Sequence, residues 1–281
     1  MDIGPFGVWT SYRALGEENA GEAARLVEDL GLSALWLGGS PQLPALRALL
    51  AATQRIVVAT GILNVWQSEP AQVASDFAQL QSEFPERVLV GIGIGHPEAT
   101  SRYRTPLAAM RGFLDGLDRA DPPVGAEHRC LAALRPRMLE LSAQRSLGAH
   151  TYFVPVPHTA SARERLGADA LLAPELACVP DDDPDRARSK ASAYAALYLG
   201  LSNYTRNLLD HGFTEEDFAD GGSDRLLDAI VPQGSPEQIA AVARRHLDAG
   251  ASHVCLQTVG VQGVPRGEWA ALASALGTSR R

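Results

Sequence analysis

The chain has 281 residues, of which 46% are hydrophobic and 21% are charged, and its formal net charge at pH 7 is −8. This acidic balance disfavours a nucleic-acid-binding surface, which needs clustered lysine and arginine. The three cysteines form no CxxC pair, a pattern that suits a reducing cytoplasm. No apolar run approaches the ~20 residues that span a bilayer, and MDIGPFGVW lacks the features of a secretory signal. We therefore expect a cytoplasmic protein with no nucleic-acid or membrane partner.

Short β-branched runs alternate with segments of helical periodicity along the chain. The runs 56–59 and 88–92 are unbroken, too short for a helix and typical of strands buried on both faces. The predicted strands are 3–9, 33–37, 56–59, 88–92, 129–133, 151–156, 171–179 and 253–258. The predicted helices are 17–30, 41–52, 70–84, 106–117, 136–146, 159–166, 185–211 with a break at Gly200, 235–250 and 266–276.

Eight strands that alternate with helices, with no linker between them, predict a single (β/α)8 TIM barrel over residues 1–281. The long helical stretch after the seventh strand is an insertion. In parallel α/β folds, ligands bind at the carboxyl ends of the strands. The segments 61–64 and 93–96 directly follow the third and fourth strands, so we expect the functional site there.

Three common kinds of site find little support in the sequence. The seven histidines show no HExxH motif, no closely spaced pair and no cysteine partner, which disfavours a metal site. A Ser-His-Asp hydrolase usually shows a GxSxG elbow, and the chain has none. GIGIG at 91–95 resembles a dinucleotide fingerprint only loosely, because a proline and a polar loop follow where a helix should begin.

Several residues suit contact with a ligand, and each has a structural alternative. Gly61 follows a buried strand. A bulge there would bring the backbone close to a flat ligand, and the alternative is a plain turn from strand to loop. His96 ends the fourth strand, where barrel enzymes place acids and bases, although it could instead cap the loop. Glu175 lies inside an apolar strand and suits a structural or a catalytic role, because a buried carboxylate needs a partner. The residues 203–206 form a polar patch, and such patches serve in packing or interfaces more often than in a functional site.

Two predicted helix starts carry groups that suit an anion. Arg135, Pro136 and Arg137 begin the helix after the fifth strand. Free N–H groups and two guanidinium groups there favour a phosphate or carboxylate, although solvated arginines would look the same in the sequence. His158 and Thr159 open the next helix and could add a second anion contact.

Segments along nearly the whole chain resemble, in the same order, the luciferase-like monooxygenase superfamily. More narrowly, they resemble its actinobacterial branch, which uses the deazaflavin coenzyme F420. The segments are VATGILNVW, FPERVLVGIGIGHPE, LAALRPRMLELSAQ, GAHTYFVPVPHTASARERLG, LLAPELACVPDDDPDRAR, YLGLSNYTRNLLDHGF and DAGASHVCLQ. The resemblance implies a bacterial-luciferase-like TIM barrel, with the coenzyme at its carboxyl face, and a homodimer.

The resemblance also implies roles for particular residues. In such proteins a bulge with a non-proline cis peptide often lies behind the deazaflavin ring, and residues 61–62 match that feature best. The phosphate is usually held at the turn after the fifth strand, here 134–137. The resemblance gives Gly61, Ile62, Asn64, Leu134, Arg135 and Arg137 as cofactor-binding residues. The helix start described above adds His158 and Thr159, and the place of His96 at the carboxyl end of a strand makes it the predicted catalytic acid or base.

The chain departs from characterised relatives at three places. Relatives often carry an acidic residue and a histidine after the second strand, where this chain has Gly-Gly-Ser at 38–40. Arg135 stands where glycine is expected. Residues 67–68 read Gln-Ser, where relatives often show an arginine before the EP proline.

Three functions therefore stay open. The first is a reductase or dehydrogenase that moves a hydride between F420 and a small organic molecule, with His96 as the proton donor or acceptor. The second is a monooxygenase that uses FMN and molecular oxygen. The third is a barrel that binds a flavin or another ligand without turning it over, as the departures from the family pattern suggest.

Overall fold

The computed structural model describes residues 1, 3–96, 98 and 104–278, in which eight parallel strands close into a barrel. The barrel strands are β1 Phe6–Ser11, β2 Ala34–Gly38, β3 Val57–Thr60, β4 Val88–Gly93, β5 Arg129–Ala132, β6 Gly148–Thr151, β7 Leu171–Pro180 and β8 Val254–Thr258. Strand β8 pairs with both β7 and β1, which closes the barrel. The predicted TIM barrel is confirmed.

Two short strands extend the sheet beyond the barrel. Leu63–Asn64 follows β3 and pairs in parallel with the end of β4, where Leu63 lies opposite Ile92. Gln233–Gly234 pairs with the end of β7. The first of these holds the loop after β3 against β4, at the carboxyl end of the barrel.

Helices surround the barrel and form the insertion after β7. The α-helices of the described residues are Tyr12–Leu15, Ala20–Asp29, Arg47–Ala51, Pro70–Glu83, Pro106–Arg119, Pro136–Arg145, Val156–Leu166, Pro184–Leu199, Ser202–Asp210, Asp224–Ile230, Pro236–Asp248 and Arg266–Leu276. Short 3-10 helices occupy Glu17–Asn19, Leu43–Leu46, Ala126–His128 and Glu215–Gly221. Across the described part of the chain, no helix has both the length and the apolar character needed to cross a membrane.

Local sequence explains where several helices begin. The Ser235 hydroxyl accepts a hydrogen bond from the N–H of Gln238, whose side chain accepts one from the N–H of Ser235. This reciprocal pair and Pro236 at the first helical position fix the start of Pro236–Asp248. The insertion breaks at Gly200, between Pro184–Leu199 and Ser202–Asp210, as the sequence predicted.

Strand residues alternate between the barrel interior and the surrounding helices. Val57 and Ala59 of β3 face the interior, whereas Val58 packs with the helices. Both faces of the strands are therefore buried, which accounts for their unbroken apolar sequences. Trp36 fills the interior, where its ring stacks on that of His150 at a centroid distance of 4.5 Å.

The prediction for the sixth strand was wrong in its bounds. The sequence predicted 151–156, but β6 is Gly148–Thr151 and the next helix begins at Val156. Tyr152 and Phe153 have high strand propensity, yet their rings contact Tyr198 of the insertion at 5.4 Å and 5.1 Å. Packing against the insertion therefore overrides local strand propensity.

Candidate active site

A cavity of about 1140 Å³ lies at the carboxyl end of the barrel. Small-molecule pockets typically measure about 300–1,000 Å³, so this one has room for a coenzyme-sized ligand and a small second molecule. Residues at the ends of several barrel strands and from the insertion form its wall. Six of the predicted site residues line it: Gly61, Ile62, His96, Leu134, Arg135 and Arg137.

Three other predicted site residues lie outside this lining. The Asn64 side chain accepts a hydrogen bond of 3.0 Å from the N–H of Trp66, whose indole donates one of 2.7 Å to the Ile94 carbonyl. Asn64 therefore shapes the loop behind the cavity. The buried Thr159 hydroxyl lies 2.8 Å from His246 Nδ1. The role of both residues as cofactor contacts stays a prediction.

His158 supports the predicted phosphate turn from behind. Its Nε2 donates a hydrogen bond of 2.8 Å to the carbonyl of Leu134, and the side chain is buried. Burial lowers the pKa of His158 to about 4, against the opposing effect of that hydrogen bond, so the ring is neutral near pH 7. A neutral ring adds no positive charge for an anion, and direct contact of His158 with a cofactor also stays a prediction.

The bond between Gly61 and Ile62 is a cis peptide, which confirms the prediction from sequence. The indole of Trp9, at the end region of β1, lies against both Gly61 and Gly38. A Cβ atom added to Gly61 would lie 2.6 Å from Trp9 Nε1, and one added to Gly38 would lie 2.1 Å from Trp9 Cη2. Both positions need glycine because the indole approaches the backbone closely. Trp9 therefore gives a physical reason for glycine at position 38.

Four polar atoms of the cavity-lining residues are buried and have no hydrogen-bond partner among the described residues. They are Trp9 Nε1, His96 Nδ1, Arg135 Nη1 and His150 Nε2. Most buried polar groups in folded proteins are paired, so four unpaired ones among the lining residues suit a polar ligand that draws them into the cavity. His150 donates from Nδ1 to the Ala173 carbonyl at 2.7 Å, and burial lowers its pKa to about 4. Its Nε2 is therefore a bare acceptor.

His96 has the position predicted for an acid or base. The side chain is half-buried in the cavity wall, and its ring centroid lies 4.9 Å from that of Tyr204 on the insertion. Burial lowers the pKa of His96 below its ordinary 6.5, while the nearby Glu98 carboxylate acts in the opposite direction. The imidazole is therefore neutral near pH 7 and suited to accept a proton.

Three arginines contribute positive charge to the cavity wall. Arg135 pairs with Asp210 of the insertion at 3.1 Å. Arg137 and Arg111 are exposed, and neither forms an ion pair with another residue that the structure describes. Arg137 lies in the first turn of Pro136–Arg145, whose N-terminus has no side-chain cap. An uncapped helix start beside free guanidinium groups suits a phosphate or carboxylate.

The sequence did not single out three aromatic residues of the wall, Trp9, Tyr152 and Tyr198. Trp9 could have been identified from the sequence, because it ends the first predicted strand. The two tyrosines gave no such indication, because they meet only when the insertion folds over β6. Within the described residues, no group of three or more histidine, cysteine, aspartate or glutamate side chains could hold a metal ion.

Residues 5–120 match the sequence profile of the luciferase-like monooxygenase family. No curated protein sequence matches the chain. An F420-dependent secondary alcohol dehydrogenase, solved with an F420–acetone adduct, is similar in structure with a TM-score of 0.74 and 15% identity over 100% of both chains. The coenzyme F420-dependent tetrahydromethanopterin reductase from Methanopyrus kandleri has a TM-score of 0.71 and 16% identity over 98% of both chains.

An FMN-containing enzyme is also similar in structure. It is the oxygenating constituent of 3,6-diketocamphane monooxygenase from Pseudomonas putida, with a TM-score of 0.69 and 12% identity over 98% of this chain and 96% of that one. At such identities these structures show the fold. The profile match to the luciferase-like monooxygenase family covers residues 5–120, and over the rest of the chain the similarity to these structures is one of fold.

Proposed function

We propose that the protein is an oxidoreductase that transfers a hydride between the deazaflavin coenzyme F420 and a small organic substrate. The cavity at the carboxyl end of the barrel carries this proposal. It combines the volume for a coenzyme and a substrate with polar atoms and arginines that have no partner among the described residues. Two similar solved structures, named as F420-dependent enzymes, support the choice of coenzyme.

The residues of the cavity fit a flat, anionic coenzyme. The unpaired indole N–H of Trp9 and the backbone of Gly61–Ile62 would contact the ring system. The start of Pro136–Arg145, with Arg137, would hold the phosphate. Arg111 would add positive charge for the anionic tail.

When bound, the deazaflavin supplies the hydride chemistry, while the protein orients the reactants and handles the proton. His96 is neutral near pH 7, so its imidazole would accept the proton of a substrate hydroxyl while the substrate is oxidised. In the reverse direction the protonated ring would return that proton to the carbonyl oxygen. The ring of Tyr204 packs against His96 and would keep it on the cavity wall.

A second candidate function is an FMN-dependent monooxygenase. The family is described as luciferase-like monooxygenase, and one similar barrel was solved with FMN. The same cavity groups would hold an FMN phosphate. In this case the second molecule in the cavity would be oxygenated, and His96 would assist that step.

Separate titrations of the purified protein with F420 and with FMN test the two candidates, with coenzyme fluorescence as the measure of binding. Quenching by F420 alone supports the hydride-transfer proposal, and quenching by FMN alone supports the monooxygenase. Binding of neither would overturn both and leave a barrel for another ligand.

Ala132→Phe should abolish binding, because Ala132 lines the cavity and the added ring would occupy coenzyme space. Leu209→Phe, at an exposed position on the insertion, is the matched control and should leave binding unchanged.

The homodimer implied by the family resemblance also stays a prediction, which sedimentation velocity of the purified protein tests.

A further inference from the structure

A chain of hydroxyl groups connects a buried carboxyl group to the cavity. Glu175 of β7 is 1% exposed, and its Oε1 lies 3.4 Å from the hydroxyl oxygen of Tyr194. The Tyr194 hydroxyl lies 2.8 Å from that of Tyr152, which lies 2.9 Å from that of Tyr198. Tyr152 and Tyr198 line the cavity, whereas Glu175 and Tyr194 lie behind it. The chain therefore runs from the barrel interior to the cavity in three steps.

The carboxyl group at the inner end holds its proton near neutral pH. Burial raises the pKa of Glu175 to about 8, although the N–H of Phe153 and the Tyr194 hydroxyl act in the opposite direction. No cationic side chain of the described chain forms an ion pair with it, which a buried carboxylate would require. The titratable groups that face Glu175 are Tyr152, Tyr194, Tyr198, Tyr204, Cys178 and Cys255.

The phenols suit transfer of a proton more than storage of one. Burial and the neighbouring carboxyl group raise the pKa values of Tyr152 and Tyr194 well above the usual range. Each phenol can nevertheless accept a proton on its oxygen while it donates its own. The side-chain carbonyl of Gln257 accepts a hydrogen bond of 2.8 Å from Tyr152. This bond fixes the resting orientation of the central hydroxyl, which rotates toward Tyr198 during transfer.

We propose that Glu175, Tyr194, Tyr152 and Tyr198 form a proton path between the barrel interior and the cavity. In one passage, the O–H bond of the Glu175 carboxyl group breaks and its proton moves to Tyr194. Tyr194 gives its own proton to Tyr152, Tyr152 to Tyr198, and Tyr198 to an acceptor in the cavity. Every phenol ends neutral, Glu175 ends as a carboxylate, and the acceptor gains one proton. The reverse passage, from a solvent proton, restores the acid.

The path has a specific use if the cavity carries out hydride transfer. A carbonyl compound that receives a hydride needs a proton on its oxygen, and the path would bring to the cavity the proton that replaces the one His96 gives up. This use rests on the proposed function, whereas the path itself does not. The alternative is that the hydroxyl chain only ties the insertion to the barrel, which makes no demand on proton movement.

Infrared spectroscopy of the coenzyme-free protein separates these possibilities. The C=O band of a protonated carboxylic acid should be present at pH 7 and absent in Glu175→Gln. On transfer to D₂O the band should shift quickly, because the path connects the buried proton to solvent in the cavity. In Tyr152→Phe, exchange must wait for local opening of the structure, so we expect it to slow by at least about tenfold. Tyr12→Phe removes a phenol outside the path and should exchange like the unaltered protein.

Two results would overturn the proposal. The first is a spectrum at pH 7 that is the same with and without Glu175, because the residue would then hold no proton. The second is exchange in Tyr152→Phe as fast as in the unaltered protein. If Glu175→Gln does not fold, ¹³C labelling of glutamate side chains identifies the band instead. Because no coenzyme is present, these outcomes are independent of whether F420 or FMN binds.

Discussion

Two polar clusters, one at each end of the barrel, differ in how their buried groups are paired. At the amino-terminal end, the Glu28 carboxylate accepts hydrogen bonds from the backbone N–H groups of residues 54–56. Next to it, the Arg87 guanidinium donates to the carbonyl groups of Leu50, Thr53 and Ile56. These side chains fasten the loop before β3 and the start of β4. Their polar groups are satisfied within the protein, as stable folds require.

At the carboxyl end, four lining residues each leave a buried polar atom unpaired among the described residues. An unpaired buried donor or acceptor costs roughly 1–3 kcal/mol, so this wall stabilises the folded chain less than a fully paired one would. The contrast separates two kinds of polar cluster. Substitutions at the amino-terminal end should change stability alone, whereas substitutions at the carboxyl end should change ligand binding or turnover.

The largest expected effect is on turnover at His96. Replacing His96 with glutamine removes the proton acceptor, and general acid–base catalysis is typically worth about 10²–10⁴-fold in rate. Single-turnover kinetics with the F420-loaded protein should show a loss of that size, with coenzyme affinity unchanged. In the unaltered protein, the rate of substrate oxidation should rise with pH through the lowered pKa of His96, below 6.5, and be level by neutral pH.

His128→Gln is the matched control for His96. His128 lies before β5, beside Glu86, and does not line the cavity. Its replacement should leave the single-turnover rate unchanged. Full activity in His96→Gln would mean that the proton moves through solvent or through another group, such as Tyr198.

The next largest effect is on stability at Glu28. Hydrogen bonds to charged groups are worth about 1.5–3 kcal/mol each. In Glu28→Ala, three backbone N–H groups lose the carboxylate that accepts their hydrogen bonds. Because water reaches part of this loop, we expect the free energy of unfolding to fall by about 3 kcal/mol, measured by urea titration. Glu22→Ala, on the same helix, breaks only an exposed pair with Arg266 and should cost less than about 1 kcal/mol.

The stabilising effect of Glu28 should depend on pH in one direction. Burial raises the pKa of the folded carboxyl group, but the three backbone hydrogen bonds together outweigh it and lower the pKa below the ordinary 4.5. The contribution is therefore complete above pH 4.5 and is lost as the pH falls through the lowered value of the folded state. The difference between the unaltered protein and Glu28→Ala should shrink over that acidic range. A difference that stays constant with pH would show that the charge is not involved.

Strand order and the position of the site were predictable because they depend on local patterns. Unbroken apolar runs gave the strands, and the rule that ligands bind at carboxyl ends placed Gly61, His96 and Arg137 on one cavity. Which way a side chain points was harder to predict. Thr159 lies in the first turn of the helix Val156–Leu166, at the same edge as Arg137, yet its hydroxyl points to the buried His246. The position of Thr159 in the sequence predicted at which end of the barrel it lies, but not which side of the helix its hydroxyl would face.

Long-range packing explains the remaining errors. Tyr152 was predicted within a strand, but it contacts Tyr198, 46 residues away, and lines the cavity. Trp9 is placed by close approach to Gly38, at the end of β2, and to Gly61, directly after β3. Neither contact leaves a periodic pattern in the sequence, because each joins segments that meet only in the closed barrel.

An intermediate effect is expected at the arginines of the phosphate turn. Arg137→Ala should weaken F420 binding by about 1.5–3 kcal/mol, the range for a hydrogen bond to a charged group. Arg135 already pairs with Asp210, so Arg135→Gly should change affinity by less than about 1 kcal/mol. Arg119→Ala removes an arginine outside the cavity lining and is the control for loss of charge. Equal affinity in all three variants would contradict the phosphate assignment, and tighter binding in Arg135→Gly would mean that Arg135 occludes the phosphate position.

The smallest expected effect is at Trp9, and it tests the contrast between the two ends most directly. Trp9→Phe keeps an aromatic ring beside Gly61 but removes the unpaired indole N–H. Loss of ring volume destabilises the protein, whereas loss of a buried unpaired donor stabilises it, so the net change in unfolding free energy should stay within about 1 kcal/mol. F420 affinity should fall by about 0.5–1.5 kcal/mol, because the ligand loses one hydrogen bond.

Trp269 allows a matched control for this change. Its Nε1 is also buried without a partner among the described residues, but Trp269 lies on the closing helix and not on the cavity. Trp269→Phe should therefore give a similar change in urea stability and no change in F420 affinity. If both variants bind F420 equally well, the indole N–H of Trp9 does not serve the ligand. An unpaired polar atom at the carboxyl end would then be no better evidence of a ligand contact than the one at Trp269. The proposed coenzyme contact at Trp9 would have to be abandoned.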